Sequence, residues 1–317
     1  MSSTSPKTSA SPSETHNPLN QPQTSTMPPI NRSAGRNVHI YDSNDLDTVL
    51  GGLVLTPGVT NANFYLMVEI LFIFTSTFFL QDEDEVGVDK DDSPLQPGKY
   101  YIVAAGSFDV NDEPCLVRTI SRASGTRLAK FCEAVRSRDR RCVISGVNVI
   151  TLGGIDIWDG LEAAHIFPLA YEGYWIDHDY GRWITIQPAR GSSIDSVQNG
   201  ILLDSVIHQL FDTYGISINP DDNYKVVAFR PNIRGIGGHH IDQEYFARPD
   251  APVDSLLRWH FRQAVLANMR GAGEPIFEHD FPPGSDIVDD ILRGPKAAER
   301  MEFELFSRLA AQMELFS

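Results

Sequence analysis

Apolar and polar residues first alternate at Asn37-Val-His-Ile-Tyr, which predicts a strand and the start of the ordered chain. The most hydrophobic window is Phe64 to Leu80. Glu69 interrupts it and Asp82-Glu-Asp-Glu follows directly, so it reads as a buried helix running into a strand rather than a membrane span. Lys99-Tyr-Tyr-Ile-Val-Ala-Ala predicts a further strand, with the acidic residues 82–92 and the turn at 94–98 as surface loop. Leu128, Phe131, Cys132 and Val135 recur at helical spacing within Ser124 to Arg138. Tyr224-Lys-Val-Val-Ala-Phe is strand-like. Asp254 to Met269 predicts an amphipathic helix, with Asp254 as its cap, Leu257, Phe261, Ala264 and Val265 on one face, and Gly271 beyond its end. After the Gly294-Pro295 break, Lys296 to Phe316 aligns Phe303, Phe306, Leu309 and Met313 on one side, a pattern that serves a helical cap and a partner-binding helix equally.

These elements divide the chain into a Ser/Thr/Pro-rich tail at 1–36, a mixed α/β unit at 37–118, a central domain at 119–230 and a helical extension at 231–317. The class is α+β. The tail has almost no large apolar side chains and is expected to be disordered. It lacks the basic start and apolar core of a signal peptide, so the expected location is intracellular, in nucleus or cytoplasm. Only Cys115, Cys132 and Cys142 occur and none form a Cys-x-x-Cys pair, which argues against a disulfide framework or a zinc ribbon.

Charge complicates any nucleic-acid role. The net charge is −16, which repels a phosphate backbone at long range. Yet Arg118, Arg122, Arg127, Lys130, Arg136, Arg138, Arg140 and Arg141 cluster in 116–141 against only Glu133 and Asp139. That stretch is either a phosphate-facing patch or a solvated arginine-rich helix.

The sharpest chemistry lies between Leu161 and Asp212. Glu162-Ala-Ala-His165-Ile-Phe reads as a short strand ended by Pro168, from which His165 projects. Asn199-Gly200 is a turn dipeptide, and the helix after it carries His208 and Asp212 four residues apart, on one face and within reach of one cation. Imidazole plus carboxylate suits Mg²⁺, Mn²⁺, Zn²⁺ or Ni²⁺ without choosing among them. Hydrolysis of a phosphodiester needs an activated water and charge stabilisation on the phosphate, and a metal-free histidine beside one cation meets both needs.

Arg140-Arg-Cys-Val-Ile-Ser-Gly146, Glu162-Ala-Ala-His165-Ile-Phe-Pro168, Asn199-Gly-Ile-Leu-Leu and His208-Gln-Leu-Phe-Asp212 together resemble the HNH endonuclease domain. The similarity is strongest to the variant found in fungal proteins and some restriction-type enzymes. It implies a ββα-metal core, DNA as substrate and a divalent cation. By that resemblance His165 matches the general base, Asn199 the residue that positions the base or its loop, and His208 a metal ligand. The family's last position, often His, is Asp212 here.

Two departures stand out. Where many members carry a ligand before the base, this chain has Ala164, with Glu162 the nearest replacement, and of the usual zinc-bracing cysteines only Cys142 remains. An HNH-fold module that binds nucleic acid or protein without cutting is therefore the alternative, and an acidic interaction protein using the fold as scaffold is a third reading.

Other histidines read as structural or surface residues: His178 amid alternating aspartates, His239-His240 in a loop, and His260 inside the Asp254 helix. Gly235-Ile-Gly-Gly has no following Gly-Lys-Ser/Thr and makes no phosphate loop.

Overall fold

A computed structural model describes residues 32–116, 126–188, 191–231 and 234–271. The tail expected at 1–36 lies outside these residues up to position 31, as do Arg118, Arg122 and the helix expected at 296–316. Among the described residues no helix is long and apolar enough to cross a membrane.

The first unit comprises β1 (Val38–Asp42), β2 (Gly51–Leu53), α1 (Asn61–Leu71), β3 (Phe72–Phe74), β4 (Phe78–Gln81), β5 (Gly87–Val88), β6 (Gly98–Ala104) and β7 (Phe108–Val110). Five of the strands form one sheet in the order β2-β1-β6-β4-β5, in which only β1 and β6 run parallel. The hydrophobic window at 64–80 thus becomes a helix running into strands. Thr60 starts α1 with a capping box: its hydroxyl accepts from the Asn63 amide while the Asn63 carboxamide oxygen accepts from the Thr60 amide.

The second half contains α2 (Thr126–Asp139), β8 (Ile150–Leu152), β9 (Ile155–Ile157), β10 (Leu161–His165), α3 (Glu172–Asp177), β11 (Gly200–Asp204), α4 (Ser205–Asp212), β12 (Ile216–Asn219), β13 (Lys225–Ala228), α5 (Gln243–Phe246) and α6 (Asp254–Met269). β10 pairs antiparallel with β11, and the chain turns from β11 directly into α4. β8 and β9 form a separate ribbon around Gly153-Gly154, whose positive φ values of 57° and 82° suit a tight hairpin turn.

α6 holds the halves together. Leu256, Leu257 and Trp259 pack with Phe167, Phe211 and Ile216, while Phe261, Ala264, Val265 and Met269 pack with Phe64, Met67, Val68 and Leu71. The amphipathic reading therefore understated the helix, which is buried on most of its circumference. Asp254 does not cap it either: Val253 holds the cap position, and the Asp254 carboxylate instead accepts from the Tyr224 hydroxyl. His260 is fully buried, its ring stacked on Phe211 at 3.7 Å. Its Nε2 donates to the Phe211 carbonyl and its Nδ1 takes the Ser217 hydroxyl, so α6 supports the C-terminal end of α4.

At the end of α2 the arginine-rich stretch turns inward. The Arg138 guanidinium forms a two-pronged bond to Asp139, at 2.6 and 2.8 Å, and both side chains are almost wholly buried. Arg138 also donates to the carbonyls of Val197, Asp250 and Gly200, and Asp139 accepts from the Leu202 amide. Burial is the largest influence and works against the Arg138 charge, but the Asp139 bond together with Coulombic interactions with Tyr245, Asp139 and Asp250 lifts the guanidinium above its ordinary pKa. Arg138 is thus lost to any phosphate-facing patch. Arg140 pairs with Asp156, and Arg136 lies over the Trp158 ring at 5.1 Å.

Asp139→Asn is expected to destabilise the protein by about 3–5 kcal/mol, because it strands a buried guanidinium charge. Urea denaturation checks this, and a loss below about 1 kcal/mol would show that the pair is better solvated than its burial indicates.

Candidate functional site

The site grows from the register of one hairpin. Glu162 lies opposite Leu203, Ala164 opposite Ile201 and His165 opposite Gly200. Side chains alternate along a strand, so Glu162 and Ala164 share one face while Ala163 and His165 share the other.

α4 covers the first face. Its cap is Asp204, whose carboxylate accepts from the Ile207 amide at 3.1 Å and from the Ser145 hydroxyl at 2.9 Å. Four residues on, His208 Nδ1 lies 2.6 Å from Glu162 Oε2. A carboxylate only accepts, so in the neutral ring Nδ1 carries the hydrogen and Nε2 the lone pair. Nε2 lies 3.3 Å from Asp212 Oδ2. Glu162, expected only as the nearest spare carboxylate in sequence, therefore meets His208 directly, on the nitrogen turned away from Asp212.

α2 covers the second face. The His165 ring is stacked on Phe131 at 3.7 Å with 9° between the planes, and its Nε2 lies 3.5 Å from Asp195 Oδ1. His165 is 8% exposed and Asp195 4%. Gly200 is required here by space: a Cβ would come within 2.7 Å of the Phe131 ring and 2.5 Å of Val135. Three residue steps along the strand, about 10 Å of chain, separate Glu162 from His165. The structure thus brings His208, Asp212 and Glu162 together and sets His165 further along the same strand, on its opposite face.

Asn199 is fully buried and works on the backbone behind His165. Its carboxamide oxygen accepts from the Phe167 amide at 2.8 Å, and its nitrogen donates to the carbonyls of Phe167 and Ile194 at 3.2 and 2.8 Å. The Asn199 carbonyl accepts from the Ile166 amide as well. It is thus a clamp on the residues that leave His165 rather than a turn residue, since Gly200 already belongs to β11.

The donor chemistry fits a divalent cation in a limited way. Two cis ligands at about 2.1 Å from one cation stand roughly 3 Å apart, close to the Nε2–Oδ2 separation of His208 and Asp212. Glu162 on Nδ1 supplies the outer carboxylate that metal-binding imidazoles usually carry. Among the described residues no group of three or more His, Cys, Asp or Glu is arranged to hold a metal ion.

Residues 142–219 match the family model described as HNH endonuclease. Residues 35–109 match a second family model, a domain of unknown function. No curated protein matches the chain. A solved structure, that of a modification-dependent TagI restriction endonuclease, is similar at 18% identity over 58% of this chain and 50% of that one, with a TM-score of 0.23. The chain spans about half the length of that structure.

Sequence reasoning passed over Asp195 and Phe131. Phe131 was placed only as a core position of its helix, and Asp195 reaches His165 only because residues 192–199 fold back beside β10. The remaining histidines lie elsewhere: His178 ends α3, stacked on Tyr174, and His239 and His240 line a cleft of about 420 Å³ with Arg141, Tyr245 and Arg248.

Asn199→Ala is expected to lower stability by about 2–4 kcal/mol, since buried backbone groups of Phe167 and Ile194 lose their partner. Thermal and urea unfolding measure this, and an unchanged midpoint would remove the clamp.

Proposed function

We propose that the protein is a metal-dependent endonuclease that hydrolyses phosphodiester bonds in DNA. The observation that carries this reading is His208, fixed by Glu162 at Nδ1 so that Nε2 turns toward Asp212. The match of residues 142–219 to HNH endonucleases supports the same reaction class. His208 and Asp212 would hold the cation, and Glu162 would orient His208. When bound, the cation supplies Lewis-acid stabilisation of the phosphate and of the departing 3′ oxygen.

The chain's own residues do the rest. His165 takes a proton from water, while the Phe131 stack and the Asn199-clamped turn limit its motion and hold its ring at the end of β10. To engage both, the substrate would have to reach from His165 at the end of β10 to the His208–Asp212 pair on the strand's other face. Lys130 and Arg141, exposed on or just after α2, are the basic residues of the stretch best placed to meet flanking phosphates, Arg140 being paired with Asp156.

A second reading is favoured by Ala164, which is buried in the place where many family members carry a ligand. On that reading the fold binds nucleic acid or a protein without cutting.

Purified protein should nick supercoiled plasmid with Mg²⁺, Mn²⁺ or Ni²⁺ and not with EDTA, and His165→Ala should abolish nicking while cation binding persists. Wild-type protein that is folded yet inactive in every metal would favour the binding module, whose affinity for DNA would then fall steeply with salt. Calorimetry with Mn²⁺ tests the ligand set separately: His208→Ala is expected to remove binding, and Glu162→Gln to weaken it about 10–100-fold. Unchanged affinity in either variant would exclude that residue from its role.

A further inference from the structure

The five-stranded sheet of the first unit carries different chemistry on its two faces. Val38, Ile40, Leu80, Tyr100 and Ile102 point inward and pack with Phe64, Met67 and Val68 of α1. The pleat sends the alternate residues to the other face. There the register sets His39 beside Lys99, Tyr41 beside Tyr101 and Phe79 beside Val103. Phe79 is 46% exposed and Lys99 is exposed too, while His39, Tyr41, Tyr101 and Val103 are half-buried. The two tyrosine rings stack at 5.6 Å with 29° between their planes. A lone exposed apolar side chain needs no explanation, but aromatic rings on three neighbouring strands of one face form a patch of the kind that marks a contact surface.

Charge decides what kind of partner fits. β1 and β6 run parallel, so both end on the same side of the sheet, where the turn after β1 exposes Asp45 and Asp47. Both start on the opposite side, where Glu83 accepts from the Lys99 amide at 3.0 Å and lies exposed with Asp84 and Glu85. The rings thus sit between two acidic turns, separated by five residues or about 16 Å of strand. His39 and Lys99 are the basic groups on the face itself, against those five carboxylates.

We propose that this face docks a basic protein segment, whose arginine and lysine side chains lie over Tyr41 and Tyr101 and reach the carboxylates at the two ends. Aromatic faces attract guanidinium and ammonium groups, and an acidic rim steers them in. The same charges disfavour other occupants. A second copy brings a net charge of −16, and the chain's own segment 296–316 holds three basic residues (Lys296, Arg300, Arg308) against four acidic ones (Glu299, Glu302, Glu304, Glu314). A nucleic acid would meet the carboxylates with its phosphates. This surface is therefore separate from the proposed nuclease chemistry and stands or falls without it.

Any acidic protein attracts a polycation, so the informative variants hold net charge fixed or change it equally at two places. Calorimetry of the full chain with an oligoarginine peptide measures the affinity. Replacing both Tyr41→Ala and Tyr101→Ala is expected to weaken binding about tenfold, and phenylalanine at both positions, which keeps the rings, should restore it. Lys99→Gln should strengthen binding more than Lys90→Gln, which changes the charge identically on the α1 side of the sheet, over Tyr65. Wild-type affinity in the alanine variant, or equal effects of the two lysine variants, would reduce the binding to general attraction and overturn the proposal. The lysine pair decides alone if the alanine variant does not fold. A dimer of the peptide-free protein in sedimentation that dissociates in the tyrosine variants would give the face to a second copy, which also overturns it.

Discussion

The site depends on a bond that takes no part in its chemistry. Arg138 and Asp139 are neighbours in sequence at the end of α2, yet their partners come from four places in the chain. Arg138 binds the carbonyls of Val197, Gly200 and Asp250, and Asp139 the amide of Leu202. The pair therefore occupies the outer edge of β11 and also draws in the loop before α6. The Val143 amide extends that edge by donating to the Leu202 carbonyl. A buried charge pair is a weak source of net stability, but it is demanding about geometry, because every unmet charge or lone pair is costly. Here that demand sets where β11 lies against α2, and with it the distance between Phe131 and the strand that carries His165. Tyr245 adds to the enclosure: burial raises its hydroxyl well above the ordinary phenol range, so it stays neutral beside the pair.

From that anchor, one hairpin distributes two kinds of chemistry to its two faces. Strand alternation gives Glu162 to α4 and His165 to α2, so the residues proposed as cation ligands and the one proposed as base pack against different helices. α4 owes its position to the Asp204 cap and to α6, through Phe211 on His260. α2 owes its position to the Arg138–Asp139 pair. His165 lies at the end of β10, and the Asn199 clamp fixes that end by binding the peptide groups on either side of the turn. Replacing a residue on one face would leave the other face's chemistry largely in place. This separability follows from the pleat, and it is why cation binding and cleavage can be assayed as distinct properties.

Local features of this arrangement were legible in the chain, and features set by register were not. The strand at Leu161–His165 and the helix at Ser205–Asp212 follow from short-range pattern, and the four-residue spacing of His208 and Asp212 gave their common face. The contact of Glu162 with His208 spans 46 positions and exists only because Glu162 pairs with Leu203, one residue before the Asp204 cap. No periodicity carries that information. Arg138 looked like one more cation of a basic stretch, since burial of an arginine depends on carbonyls that arrive from elsewhere. Asp254 satisfied the composition rule for a cap, but Tyr224 engages its carboxylate and the helix begins without one. For Asn199 the Asn-Gly pair suggested a turn and the family resemblance a residue that positions the base or its loop; its bonds to Phe167 and Ile194 are tertiary and follow from neither the dipeptide nor its spacing.

The same register bears on the acidic balance of the protein. A net charge of −16 disfavours DNA at a distance, but charges more than about 10 Å apart are largely screened at 0.1 M salt. What counts for a phosphate is the local charge, such as the exposed Lys130 and Arg141, and a cation if one is held by His208 and Asp212. With Ala164 in place of a ligand, two protein groups leave more of the cation's coordination open to water and phosphate oxygens. Such a site binds its metal less tightly when empty of substrate and gains more from the substrate's own oxygens. The acidic surroundings act in its favour, since they raise the local concentration of divalent cations. The proposed two-ligand site is thus physically compatible with an acidic protein, provided that cation and DNA bind together, each supplying part of what the other lacks.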